Sequence, residues 1–164
     1  MRKKEERKYY DPVKKKFEEL FNLRGETYFE ITANKKFGNK LKQEIPQYKN
    51  IIFSFFNQFY PDITGFIKRT SGTEFIIVEI KDEVIKIDHI YQARKYAELF
   101  DARFAFLIST QEIPHELKEL SKIVFPLLSI PAYKKLILVQ FDKNKNQFID
   151  WFEQNPFEQE NNWQ

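Results

Sequence analysis

The spacing of hydrophobic positions changes several times along the chain, and the changes mark out alternating helices and strands. Over residues 9–21, Tyr10, Val13, Phe17, Leu20 and Phe21 recur at three- and four-residue steps, which predicts an amphipathic helix. Asp11-Pro12 is its start signal, with proline at the first helical position, and Gly25 ends it. Tyr28 to Thr32 reads as a strand with Phe29 and Ile31 on one face. Ala33 to Gln47 is lysine-rich and predicts a short helix closed by Pro46. Asn50 to Phe59 is apolar but too short for periodicity to separate strand from helix.

Pro61 to Lys81 reads as two strands joined by the turn Thr70-Ser71-Gly72-Thr73. Ile90, Ala93, Ala97 and Phe100 predict a helix over 87–100. Arg103 to Ile108 is an apolar run of the kind found in strands covered by helices. A helix over 114–124 places Leu117, Leu120 and Val124 inward, and Leu136 to Phe141 is a further strand. Phe148, Ile149 and Phe152 predict a short helix, and residues 155–164 a flexible tail. The order predicts an α/β fold: one domain over residues 1–154, with a central mixed sheet flanked by helices.

Composition narrows the class. With 18 Phe and only 4 Gly among 164 residues, the chain can build a packed core. The absence of cysteine excludes disulfides, thiolate zinc sites and cysteine-held iron–sulfur clusters, and fits a cytoplasmic protein. The apolar runs Ile51-Ile52-Phe53 and Val124 to Leu128 are too short to cross a membrane. The charged start, Met1 to Lys8, has no apolar signal core behind it. The net charge is +3, and its distribution is uneven. Residues 1–16 hold eight basic groups against Glu5, Glu6 and Asp11, and residues 33–50 hold Lys35, Lys36, Lys40, Lys42 and Lys49 against Glu44. Such a stretch can face a polyanion or be an ordinary solvated surface.

The chemistry concentrates in the hairpin. Asp62 opens the first strand, directly after Pro61, and the second strand ends Glu79-Ile80-Lys81. Residues 79 and 81 share a face and lie roughly 7 Å apart along a strand. If the strands pair through the central turn, Asp62 comes to the same end as Glu79 and Lys81. Two carboxylates and an ammonium there suit a divalent cation and a phosphate. Taken singly, Asp62 reads as turn chemistry and Glu79–Lys81 as a solvent-facing ion pair. His89 and His115 lie in no ligand-like cluster.

Pro61-Asp62 followed by Glu79-Ile80-Lys81 resembles the signature of the PD-(D/E)xK, or restriction-endonuclease-like, nuclease superfamily. Gln92 and Tyr96 on the next helix resemble the QxxxY element of its exonuclease-like branches. The resemblance covers roughly residues 9–108. It implies a magnesium or manganese ion held by Asp62, Glu79 and the Ile80 carbonyl, with Glu18 on the first helix, or its neighbour Glu19, joining through a water. It implies that Lys81 orients the attacking water or stabilises charge at phosphorus. Gln92 and Tyr96 would position the nucleic-acid strand or support the site from behind, and Lys35, Lys36 and Lys40 would meet phosphates. The expected activity is hydrolysis of DNA phosphodiester bonds, with RNA as an alternative substrate. Because there is no separate reading domain, a structure-selective enzyme acting as a homodimer is attractive, with a repair-type exonuclease as its competitor. Two rival classes are a nucleic-acid-binding module of the same fold without turnover, and an interaction subunit using the phenylalanine-rich surface.

Overall fold

The computed structural model describes residues 5–34, 36–56 and 59–163. Backbone that is already helical at Glu5 and Glu6 passes through a 3-10 turn over Arg7–Tyr9 into helix α1, Tyr10–Asn22. Pro12 explains the tightened turn, because it offers no N–H to the carbonyl four residues before it. Strand β1 (Glu26–Ile31) follows, then the short helix α2 (Asn39–Gln43) and a 3-10 helix over Gln47–Phe55. Strands β2 (Ile63–Arg69) and β3 (Gly72–Lys81) form the central hairpin, and α3 (Ile87–Phe100) leads into β4 (Phe104–Ser109). Helix α4 (His115–Ile123), the small pair β5 (Ser129–Ile130) and β6 (Lys134–Lys135), the hairpin β7 (Ile137–Asp142) and β8 (Gln147–Phe152), and a 3-10 turn over Glu160–Trp163 follow.

Six strands form one mixed sheet in the order β1-β2-β3-β4-β7-β8. The pairs β1–β2, β2–β3 and β7–β8 are antiparallel, while β3–β4 and β4–β7 are parallel. The alternation of β3 shows how the two layers are built. Ile76, Val78 and Ile80 pack with Val13, Phe17 and Phe21 of α1, whereas Phe75 and Ile77 pack with Ile90, Ala93 and Phe100 of α3. Glu79 and Lys81 continue the α3 face, at the carboxyl end of the strand. The α/β class and the mixed central sheet follow the expectation.

Three expectations fail for identifiable reasons. The helix expected near 148–152 is strand β8. A bulge there, between Val139 and Gln140 on the partner strand, leaves Asp150 as an extra residue at φ 50°. Phe148 and Trp151 therefore pack on the same layer three residues apart, which imitates a helical step. The short helix expected within 33–47 is present as α2, but Pro46 begins the next element instead of closing this one. The tail expected to be loose packs: the Phe157 ring lies 4.9 Å from that of Phe21, and the Trp163 ring 5.2 Å from that of Phe104.

Candidate active site

The hairpin register sets the site. Ile63 faces Val78 across the antiparallel pair, so Asp62, one residue before, continues opposite Glu79. Backbone bonds from Thr32 N–H (2.9 Å) and Ala33 N–H (3.2 Å) to the Asp62 carbonyl extend the β1 edge over this position. The Thr32 hydroxyl, itself buried, donates to the Pro61 carbonyl and lies 2.9 Å from the Thr64 hydroxyl. The Pro-Asp segment is thus fixed from three sides before its side chain does anything.

The side chains at this end are buried: Asp62 is 3 % exposed, Glu79 1 %, Lys81 7 % and Glu6 4 %. Asp62 accepts from the Tyr10 hydroxyl at 3.0 Å through one oxygen and from the Ile80 N–H at 2.8 Å through the other. The Lys81 ammonium stands 3.5 Å from Glu79 Oε2. Burial alone would push Lys81 down, but Glu79, Asp62 and Glu6 together outweigh it and lift its pKa above the ordinary lysine value. Glu6 is pushed up by burial and by the nearby Asp62, against the pull of Lys81 and of the Asp82 backbone N–H. At neutral pH Lys81 is therefore a charged ammonium among carboxylates, not a general base.

The structure brings together Asp62, Glu79 and Lys81 but not Glu18. Glu18 lies two turns along α1 from Tyr10, about 12 Å, and is ion-paired with Lys14 on a partly exposed surface. Glu19 pairs with Lys16 instead. The helix-borne carboxylate at the cluster is Glu6. Its signal was present in the sequence: Glu6 precedes Tyr10, Val13 and Phe17 by four, seven and eleven residues, so it continues their stripe. The Asp11-Pro12 start signal hid it by placing the helix beginning too late.

Tyr96 is fully buried, which corrects the expectation that it meets nucleic acid. Its ring stacks near that of Phe56 at 5.8 Å, and its hydroxyl accepts from Gln92 Nε2 at 3.2 Å. Burial, and then the neighbouring Glu79, raise its pKa, so it stays protonated and backs the site from α3. Gln92, half-buried, is held by that bond. Lys36 and Lys40 are exposed, and the Lys40 ammonium sits 4.7 Å from the Tyr28 ring centroid. Neither touches the cluster in any described contact, and Lys35 lies outside the described residues.

The charged residues after Lys81 serve the frame. Asp82 accepts from the Thr110 hydroxyl and pairs with Lys8 at 3.8 Å, tying the amino-terminal turn to the end of β4. Glu83 lies against Lys86 and His89. The His89 Nδ1 accepts the Lys86 N–H at 3.1 Å as part of the α3 amino-terminal cap. Burial, together with Lys81 nearby, lowers the His89 pKa, which favours the neutral ring this bond needs.

Among the described residues no group of three or more His, Cys, Asp or Glu side chains converges as a metal cage. The donors present are all hard oxygens, those of the buried Asp62 and Glu79 carboxylates. That set fits magnesium or manganese, which bind through one or two carboxylates and complete their shell with water and substrate phosphate. No family model matches this chain, and no curated protein or solved structure matches it.

Proposed function

We propose that the protein is a divalent-metal-dependent nuclease of the restriction-endonuclease-like type, hydrolysing DNA phosphodiester bonds. The observation that carries this reading is the burial of Asp62, Glu79, Lys81 and Glu6 at one end of β3. Taking such groups out of water costs several kcal/mol per ion, and apolar residues of similar volume would often leave the fold equally stable or more so. A cluster held at that cost, with shifted protonation, marks a functional site. The element order helix, β1, β2–β3 hairpin, helix, β4, with β4 parallel to β3, supports the family reading.

In this reading Asp62, Glu79 and the Ile80 carbonyl would hold magnesium or manganese, and Glu6 would stand in the place expected for the helix carboxylate. The bound ion would supply an acidified water and charge neutralisation at the phosphate. The Tyr10 hydroxyl and the Ile80 N–H fix the Asp62 carboxylate, so that it does not rotate when a ligand arrives. Lys81, held charged, places an ammonium where negative charge grows on the phosphoryl oxygens. Tyr96 and Gln92 hold the Glu79 side of the site from behind.

The compensation within the cluster favours a second reading, a nucleic-acid-binding module without turnover. Both Asp62 oxygens are already bonded, and Lys81 already neutralises Glu79. Labelled linear, flapped and four-way-junction DNA, incubated with magnesium, manganese or EDTA, separates the two. The nuclease cuts at least one shape with metal and none in EDTA, and Glu79→Ala removes the cutting. Salt-sensitive binding without cutting by either protein selects the second reading. A structure-selective enzyme prefers the junction or flap, and sedimentation of the complex reports whether it acts as a homodimer.

A further inference from the structure

A second site lies at the opposite end of the sheet. A cavity of about 380 Å³ opens beside the amino ends of β4 and β7, lined by Arg103, Tyr133, Lys134, Lys135, Glu153 and Gln154 and by the buried Phe104 and Ile137. That volume falls within the range of small-ligand sites, about 300–1,000 Å³. Phe104 is in register with Ile76, five residues before Lys81, so the cavity lies about 17 Å along the sheet from the carboxylate cluster.

The charges in the cavity are unevenly matched. Lys135 is ion-paired with Glu153 at 2.9 Å, and Arg103 reaches Glu74 at 3.8 Å. Among the described residues no carboxylate comes within ion-pair distance of Lys134, although its side chain is partly buried beside Arg103. Burial and the Arg103 charge lower its pKa, while Glu74 and Asp101 act on it only from a distance. A half-buried ammonium next to a guanidinium favours an anion between them.

The loop that presents these groups is built at a cost. Ala132 and Tyr133 have φ of 61° and 58° in the turn joining β5 to β6, and Glu153 has φ of 77° across the cavity. Non-glycine residues adopt this region at a cost, and such residues gather at functional sites. The turn leaves the Tyr133 ring wholly exposed at the rim, where packing gives it no task.

We propose that this cavity binds a phosphorylated aromatic ligand of mononucleotide size, with its phosphate on Lys134 and Arg103 and its base against Tyr133. The inference does not depend on the nuclease reading. The test is calorimetric titration of the full chain with inorganic phosphate, a nucleoside monophosphate and the corresponding nucleoside, without divalent cation. Wild type, Lys134→Ala, Tyr133→Ala and Glu79→Ala are compared. The monophosphate binds saturably and more tightly than phosphate. Lys134→Ala weakens both by about tenfold or more, the loss expected for a charge-assisted contact. Tyr133→Ala weakens only the monophosphate, and because that side chain is fully exposed this variant keeps the fold. Glu79→Ala changes nothing at this site. Absence of saturable binding at millimolar ligand, equal affinity in Lys134→Ala, or loss of binding in a Glu79→Ala protein whose fold circular dichroism verifies, overturns the proposal. A monophosphate that binds no tighter than inorganic phosphate overturns its aromatic half.

Discussion

The two ends of the β2–β3 hairpin both carry charges, and they carry them differently. At the turn end Lys68 pairs with Glu44 at 3.1 Å and with Glu26 at 3.8 Å; Lys68 and Glu26 are exposed and Glu44 is partly buried, none sealed from water. At the other end Asp62, Glu79 and Lys81 are sealed under Glu6, Tyr10 and Tyr96. The first arrangement gains little from its ion pairs and loses little by having them. The second pays desolvation for every group, and only mutual compensation makes it tolerable. One sheet pairing therefore holds an ordinary surface network and a cluster that stability alone does not explain.

The sharpest way to break this contrast is to remove the central cation. Lys81→Met leaves buried carboxylates uncompensated and destabilises by about 3–5 kcal/mol, measured by urea unfolding at neutral pH. If the loss is no larger than for a surface lysine, the cluster is more solvated than its burial implies. Tyr10→Phe removes one bond to the buried Asp62 carboxylate and costs about 1–3 kcal/mol in the same measurement.

Glu6→Gln has the opposite sign. The folded-state pKa of Glu6 is raised, so the stability tied to its protonated form is complete below the ordinary carboxylate range. That contribution is lost as pH rises through the raised value. Glu6→Gln is therefore more stable than wild type at neutral pH, and the difference closes as pH falls below about 4, where Glu6 is protonated in the folded and unfolded chain alike. A variant less stable at every pH would contradict the electrostatic account. Lys68→Ala, at the solvated end, should leave the urea midpoint within error, and any residual effect should vanish in added salt.

Much of this architecture is legible in the sequence because local patterns agree with tertiary demands. The apolar stripe of α1 reports its buried face, and the alternation of β3 puts Glu79 and Lys81 on one side. The meeting of Asp62, Glu79 and Lys81 is legible for the same reason: pairing through one turn fixes which ends meet. What escapes is where two signals compete. Pro12 looks like a helix start although the backbone is already helical at Glu5, and this hides Glu6. The bulge at Asp150 turns a strand period into a helical one. Over Gln47–Phe55, Ile52 and Phe53 pack on the core while Tyr48, Ile51 and Phe55 stay exposed, so an element apolar on both sides shows no period. Tyr96 reads as a flank residue because its burial depends on Phe56, brought to it by that same segment.

The measurement that bears most directly on the central claim is magnesium-dependent cleavage of labelled DNA by wild type and Glu79→Ala, with the fold of both verified by circular dichroism. If the buried cluster is held for chemistry, wild type cuts with magnesium and not with EDTA, and the folded variant does not cut at all. Equal cutting by the two proteins would contradict the account, because the activity would then arise elsewhere. Absence of cutting by folded wild type on every DNA shape, with magnesium and with manganese, would contradict it as well.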